Sequence, residues 1–525
     1  MKWKVAPQKS DDLIEQLLIN RGIKTEKEKE EFFNPKISHF DKDLKIPGIE
    51  NSIKRIKVAI KDNELIIIYG DYDVDGISAC AILYKGLTSI GAKVLPYIPH
   101  REKEGYGLSK LGLEFARDSG ATVVITVDNG IVAFSQAEFA KSLDLDLIIT
   151  DHHLPMAQKP DAYTIVHSTK MCGAAVAWCL IQSIIKKDLA AELLQFAAIA
   201  TICDLIPLVG LGRAFVYEGL KILNRTSNLG LLALVNEAGI TLGNIGSYEV
   251  GYMLGPRLNA IGRLEHAIDA LRLLCTKDAN KARNLAKLLN ETNATRQKMT
   301  ASALEEAKLL IDINKKVHVL FSKDWSMGII GLIAGKISDE YYRPAIAISL
   351  GAKVSKGSAR SIDGVNIVQV IRNFGDILID VGGHPGAAGF SIETRHVEIF
   401  KNRIEKHLDN LPELEQTLNV DVEVETKQLS RSLVEKLQKF EPFGFENPRP
   451  IFATYNMQIS DIRTVGEGKH LKFKADNIDA IAFGMGELSS LLQNGQQIDL
   501  AYTSEIDTYN GNEKLQLKAK DIRIV

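Results

Sequence analysis

From residue 64 to about 204, short apolar runs alternate with longer amphipathic stretches. Glu64–Tyr69, Lys93–Ile98, Ala121–Val127 and Leu145–Thr150 have strand length, while Ser78–Ile90, Ser109–Asp118, Phe134–Leu143, Ala174–Ile185 and Ala191–Ile202 carry apolar residues at helical spacing. This alternation predicts βαβ units around a mainly parallel sheet. Ahead of it, Asp11–Leu18 and Thr25–Phe33 read as short helices of a leader, closed off by Pro35 and Pro47. Residues 213–313 read as helical, and Ala267–Ile313, free of Pro and Gly, predicts one or two long helices bridging two lobes. A second α/β pattern begins near 317 with Val317–Phe321, a helix from Ile329 and Pro344–Ser349, then a glycine-rich segment at 382–389 and a helix to Leu408. Beyond 417 the runs Leu418–Val424, Ile451–Ile459, Leu471–Phe473, Ala480–Phe483, Ile498–Ile506 and Lys514–Val525 are β-like, and turn residues such as Gly466-Glu467-Gly468 and Asn510-Gly511-Asn512 separate them. A small barrel is expected there, and an OB-fold fits the length.

The expected architecture is two α/β lobes, the first with a parallel sheet, joined by a long helical connector and followed by a C-terminal β-barrel. Its divisions are a helical leader at 1–50, a first α/β domain at 51–212, the helical region at 213–313, a second α/β domain at 314–412 and the barrel at 413–525. With 45% apolar residues the chain can bury several cores, which excludes wholesale disorder. Lys plus Arg number 64 against 66 Asp plus Glu, so a polybasic protein is excluded, whereas a local basic groove is not. The five cysteines are scattered and form no CxxC pair, which argues against a disulfide framework or zinc knuckle. No segment has the apolar core of a signal peptide or the length to span a bilayer, so a soluble cytoplasmic monomer is expected.

The chemistry gathers where acids meet strand ends. Asp71, Asp73 and Asp75 follow the first run, Asp128 the third, and Asp151-His152-His153 the fourth; Asp204 follows the helix at 191–202. Carboxyl ends of neighbouring parallel strands border one crevice. Each acid alone reads as a turn or cap residue; their convergence from three strand ends does not. Carboxylates packed that closely repel unless a cation neutralises them. Oxygen ligands with one or two imidazoles suit Mn²⁺ or Mg²⁺, and the ligands are too many for a single ion. A calcium loop fails because its twelfth position, counted from Asp71, is Ile82. Two ions sharing a carboxylate are the clamp used for phosphoryl hydrolysis.

These residues resemble the motifs of the Asp-His-His (DHH) phosphoesterase superfamily, and Gly382-Gly383-His384-Pro385-Gly386-Ala387-Ala388-Gly389 resembles the signature of its DHHA1 partner domain. Gly255-Pro256-Arg257-Leu258-Asn259, Gly357-Ser358-Ala359-Arg360 and Pro442-Phe443-Gly444 extend the likeness, within that superfamily, to exonucleases that degrade single-stranded DNA from the 5′ end. The resemblance implies that Asp128 bridges two ions, with Asp71 and Asp73 on one and Asp75, His152 and Asp204 on the other. It implies that His153 polarises the scissile phosphate and that Asp151 orients the histidines. It places Arg101, Ser358 and Arg360 at the terminal 5′-phosphate, His384 near the scissile group, and Arg257, Arg263 and Arg296 along the strand. Tyr106 is a candidate for base stacking; Phe443 and Phe445 fit stacking or hinge packing equally. One departure stands out: Trp325-Ser326 precedes Gly328-Ile329-Ile330-Gly331 where the superfamily branch has Trp-His.

The expected function is therefore hydrolysis of 5′-ended single-stranded DNA in repair and recombination, with a helicase and a single-strand-binding protein as the partners the resemblance implies. Two other readings compete. A phosphoesterase for short oligonucleotides or pAp needs neither connector nor barrel. A catalytically silent DNA-binding scaffold would be expected to have lost ligands, and none is missing.

Overall fold

In the computed structural model, which describes residues 1–101, 104, 105, 107–412, 414–507 and 513–525, the alternating segment forms a five-stranded sheet. Strands β1 (Leu65–Tyr69), β2 (Lys93–Tyr97), β3 (Ala121–Val127), β4 (Asp146–Asp151) and β5 (Thr164–His167) lie in the order β2-β1-β3-β4-β5, all parallel. Ile66, Ile67, Ile68, Val123, Val124, Ile125, Ile148 and Ile149 are fully buried. Helices on both faces of a parallel sheet bury both sides of each strand, hence unbroken apolar runs rather than alternation. Helices α1 (Val74–Ser89), α2 (Lys110–Asp118), α3 (Phe134–Ser142), α4 (Gly173–Ile181) and α5 (Lys187–Cys203) complete the lobe. Every residue of α4 is buried. Strand β5 has no counterpart in the hydrophobic pattern: four residues are too few to display a period.

The helical region contains a π-helical turn (Glu249–Leu254) running into α6 (Gly255–Leu264), then α7 (Ile268–Cys275) and the long α8 (Ala279–Leu309). After it, β6 (His318–Ser322), helix α9 (Ile330–Tyr341), β7 (Ala345–Ser349), β8 (Val354–Arg360), β9 (Leu378–His384) and β10 (Ala387–Glu393) build a mixed sheet in the order β9-β10-β8-β7-β6. The glycine-rich segments around Arg360 and His384 are thus strands, not the loops their composition suggests. Glycine is there for close packing: a Cβ on Gly357 would stand 2.1 Å from Cζ of Phe390.

Residues Ile46–Asp204 and Leu220–Leu414 form one compact unit; Met1–Lys45, Leu205–Gly219 and Glu415–Val525 form another. In the second unit β11 (Phe452–Val465), β12 (His470–Ala475), β13 (Ile478–Ala482), β14 (Gln497–Asp507) and β15 (Lys514–Ile524) close a five-stranded barrel through the β11–β14 pairing. The N-terminal leader is neither wholly helical nor separate. Lys2–Val5 is a strand paired in parallel with Thr417–Val420, and Leu17, Leu18 and Phe32 share the barrel's core with Phe452, Phe473 and Leu500. Its two short helices are too small to bury their apolar faces alone, and the barrel end supplies the missing surface. Arg213, also buried, donates to the carbonyl oxygens of Phe32, Phe440, Glu441 and Pro442 and tops the Phe32 ring at 4.1 Å. Among the described residues no helix is long and apolar enough to cross a membrane, and all five cysteines are free.

Candidate metal centre

Most of these carboxylates are placed by a strand end, and Asp73, Asp75 and Asp151 are fixed by backbone donors. Asp71 follows β1. Asp73 caps α1, its Oδ1 accepting from the amides of Asp75 and Gly76 at 2.9 and 3.0 Å. Asn259 Oδ1 accepts from Val74 N at 3.1 Å, so α6 also holds the start of α1. Asp75, in the first turn of α1, accepts from Gly173 N and Ala174 N, both at 2.7 Å; the start of α4 thereby faces it. Asp128 ends β3 in the left-handed region, φ 62°, which turns its carboxylate back over the sheet end. The neighbouring glycines permit the crowding. A Cβ on Gly173 would lie 2.7 Å from Cβ of Asp128, and one on Gly76 2.6 Å from Cβ of Asp71.

The side chains converge into three overlapping groups: Asp71, Asp73 and Asp128; Asp75, His152 and Asp204; and Asp128, His152 and His153. His152 Nε2 stands 3.1 Å from Asp128 Oδ1 and 3.5 Å from both Asp75 Oδ2 and Asp204 Oδ2. Asp204 terminates α5. Asp151 is not in these groups. Its Oδ1 accepts from the amides of His152 and His153 and lies 2.8 Å from His153 Nδ1, while Oδ2 accepts from Ile131 N at 2.9 Å. It therefore orients both histidines from behind.

Burial, then the charge of Asp73, pushes Asp75 up to about 7 and Asp71 well above the carboxylate range. Asp128 is raised by burial and by the surrounding carboxylates, and Asp204 reaches about 8 through burial and Asp75. Burial and the adjacent His153 take His152 down to about 4. His153 goes the other way: burial disfavours its cation, but Asp151 outweighs that and lifts it to about 9. Burial likewise opposes the Asp151 anion, yet His153 and the backbone donors hold it below its ordinary value. Oδ1 of Asp71 and Nε2 of His152 are buried and make no hydrogen bond among the described residues. Crowded carboxylates held above their usual range, beside a neutral imidazole with its ring nitrogen directed among them, fit hard divalent cations.

Cations lie alongside. Arg263 donates to the carbonyl of Gly328 at 3.1 Å. Burial lowers its guanidinium to about 10, and the charges of Arg101, Arg296 and Arg360 act in the same direction. Arg296 Nε is buried with no hydrogen-bond partner among the described residues. Arg101 covers the Tyr72 ring at 5.0 Å, beside Asp71 and Asp73. Ser358 and Arg360 flank Gly331 in the first turn of α9, 3.1 and 3.3 Å from where its Cβ would be. His384 pairs in register with Ala387, and Ala387 with Arg360, so the two share one row of the second sheet. Arg257 donates to Met253 O at 2.7 Å and Asn290 Oδ1 at 3.0 Å. Tyr106 lies outside the described residues. Phe443 sits under Arg449 at 4.7 Å, packed against the barrel core, whereas Phe445 is exposed. Trp325 is buried and donates to Glu306 at 2.9 Å, and Ser326 Oγ accepts from Gly328 N, so this pair shapes the turn. Asn259 belongs to the Gly255–Asn259 motif of the sequence, whereas Gly173 and Ala174 are marked there only by the run of small residues at 173–175.

A parallel sheet whose strand ends gather paired carboxylate and histidine nests, rimmed by arginines, is the frame of a metal-dependent phosphoesterase. Family models match in three places: the DHH family N-terminal domain at residues 65–201, the DHHA1 domain at 314–412 and the RecJ OB domain at 420–521. The single-stranded-DNA-specific exonuclease RecJ of Bacillus subtilis (strain 168) is 34% identical over 534 residues, covering 98% of this chain and 68% of that protein. RecJ of Haemophilus influenzae is 32% identical, over 90% of this chain and 89% of its own. The crystal structure of RecJ from Thermus thermophilus in complex with Mn²⁺ superposes with a TM-score of 0.88 at 27% identity, covering 100% of this chain and 80% of that one. This chain belongs to the RecJ family.

Proposed function

We propose that the protein is a 5′-to-3′ exonuclease specific for single-stranded DNA, hydrolysing phosphodiester bonds with two divalent ions, Mn²⁺ or Mg²⁺. The observation that carries this is the overlap of the three ligand groups at Asp128 and His152. The RecJ relatives support the substrate, and the Thermus structures with Mn²⁺ and with Mg²⁺ support the ions.

Asp71, Asp73 and Asp128 would hold one ion, and Asp75, His152 and Asp204 the other, with Asp128 within reach of both. Such ions supply Lewis acidity, a water of lowered pKa and neutralisation of charge on the leaving oxygen. The remaining work belongs to the chain. Asp151 orients His153, its Oδ1 2.8 Å from Nδ1, and favours the imidazolium. His153 is the more exposed of the two rings, its side chain 36% accessible against 11% for His152, so it is the one able to donate to the scissile phosphate. Arg101, Ser358 and Arg360 hold the terminal 5′-phosphate, with His384 in the same sheet row near the scissile group. Arg257, Arg263 and Arg296 line the strand. Contacts to phosphate carry no base information, so cutting is independent of sequence.

The same reading divides the chain into a leader (1–50), DHH domain (51–212), helical connector (213–313), DHHA1 domain (314–412) and OB-like nucleic-acid-binding domain (413–525). Along the barrel, Arg463 and Lys472 share one cross-strand row with Ile481 and with Lys518, which pairs with Glu505 at 2.7 Å. The protein acts in the cytoplasm as a monomer, in DNA repair and recombination, supplied by a helicase and a single-strand-binding protein. The test is degradation of 5′-labelled single-stranded and duplex DNA with Mn²⁺ by wild type and Asp128→Ala. Loss confined to the single strand, and abolished in the variant, is expected. Cleavage of pAp or dinucleotides alone would point to a small-substrate phosphoesterase, and binding without cleavage to a scaffold.

A further inference from the structure

Tyr248 and Tyr252 are 64% and 73% exposed, yet their rings stack on one another at 5.0 Å between centroids and 27° between planes. They lie just before and in the middle of the π-helical turn Glu249–Leu254, a geometry frequent at functional sites. The other face of that turn is buried. Val250 and Leu254 are inaccessible, a Cβ on Gly251 would stand 3.5 Å from Ile202, and one on Gly255 2.5 Å from Sγ of Cys203. The turn therefore rests on the two residues that precede Asp204. One helical turn beyond Tyr252, Arg257 is tied to Met253 O and Asn290. Exposed, pre-stacked aromatic rings match what single-strand binders present to successive bases.

We propose that the Tyr248–Tyr252 pair is a base-stacking platform for single-stranded DNA, engaging a nucleotide other than the one being cleaved. The proposal rests on the exonuclease reading for its ligand. Two open ring faces at the ends of the stack accept any base, because every base has a π-face, so the platform adds affinity without sequence preference. Its backing on Ile202 and Cys203 makes it continuous with the metal centre rather than an isolated surface pair.

The test uses the full chain. Tyr248→Ala/Tyr252→Ala is expected to raise KM for an oligo-dT substrate about tenfold, within the range for one or two lost stacks, while Tyr248→Phe/Tyr252→Phe stays within twofold of wild type. Oligonucleotides with one abasic site moved stepwise from the 5′ end are expected to bind wild type more weakly at one register, with that register effect absent in the double alanine variant. Unchanged KM together with an unchanged abasic profile overturns the platform. A separate arm reads 2-aminopurine fluorescence in a DNA oligonucleotide without added metal, where quenching by wild type but not by the alanine variant supports stacking and equal quenching refutes it. That arm needs no turnover. If wild type leaves DNA intact, the exonuclease reading fails, and the fluorescence still decides the platform.

Discussion

Gly173→Ala adds one methyl group where α4 approaches Asp128 of the metal centre. That Cβ would stand 2.7 Å from Cβ of Asp128, 2.9 Å from its Oδ1 and 3.0 Å from its Cα. Ordinary contact begins at 3.4 Å, so the first of these distances must open by at least 0.7 Å. Asp128 cannot retreat easily, since its N–H donates to Thr150 O at 3.1 Å and its backbone is already left-handed. Nor can α4, whose nine residues are all buried and whose first two amides hold Asp75 at 2.7 Å. The strain is therefore shared by two carboxylates that both approach His152 Nε2. Overpacking of this kind costs about 1–3 kcal/mol, partly offset by up to about 1 kcal/mol from the better helix propensity of Ala. The catalytic loss is larger, because misplacing reacting groups by about 1 Å costs on the order of 10²-fold. We expect kcat/KM on 5′-labelled single-stranded DNA to fall roughly 10²-fold, with the Mn²⁺ concentration for half activity raised and thermal unfolding shifted by only a few degrees. Activity within twofold of wild type at equal Mn²⁺ would refute the claim that close approach of α4 sets the position of Asp128.

Three further outcomes follow from the same geometry. Asp128→Asn should reduce hydrolysis by 10³-fold or more, on the order of losing a principal electrostatic element, while raising the Tm of the metal-free chain by removing a buried charge from beside Asp75 and Asp71; calorimetry showing a lower Tm would contradict the repulsion argument. Chelation by EDTA should abolish cleavage, and Mn²⁺ should restore it and raise Tm in wild type but not in Asp128→Asn, as a differential scan reports. Arg213→Met should destabilise the unit built from the leader, residues 205–219 and the barrel by about 3–5 kcal/mol, since four carbonyl oxygens lose their donor; an unchanged urea midpoint would show that this clamp contributes nothing.

Much of the molecule was legible along the chain because the physics was local. Strands buried on both faces must be apolar throughout, so β1 to β4 appear as runs, and carboxylates at their ends follow from where parallel strands stop. Likewise the alternating strands of the barrel declared themselves through period and turns. What the sequence could not reveal depended on surfaces far apart in number. The leader's strand and helices find partners at 417–420 and in the barrel core, a pairing across some four hundred positions that no local pattern encodes. Composition cannot distinguish a flexible glycine from one pressed against Phe390 or Ala387, as those at 357 and 383 are. Gly173 and Ala174 carried no chemical signal, since what they contribute is a backbone N–H, and only tertiary packing aims α4 at Asp75. The sequence determined which groups do the chemistry; the tertiary structure decided their spacing, because distances between side chains on different strands are set by the packing of the elements between them.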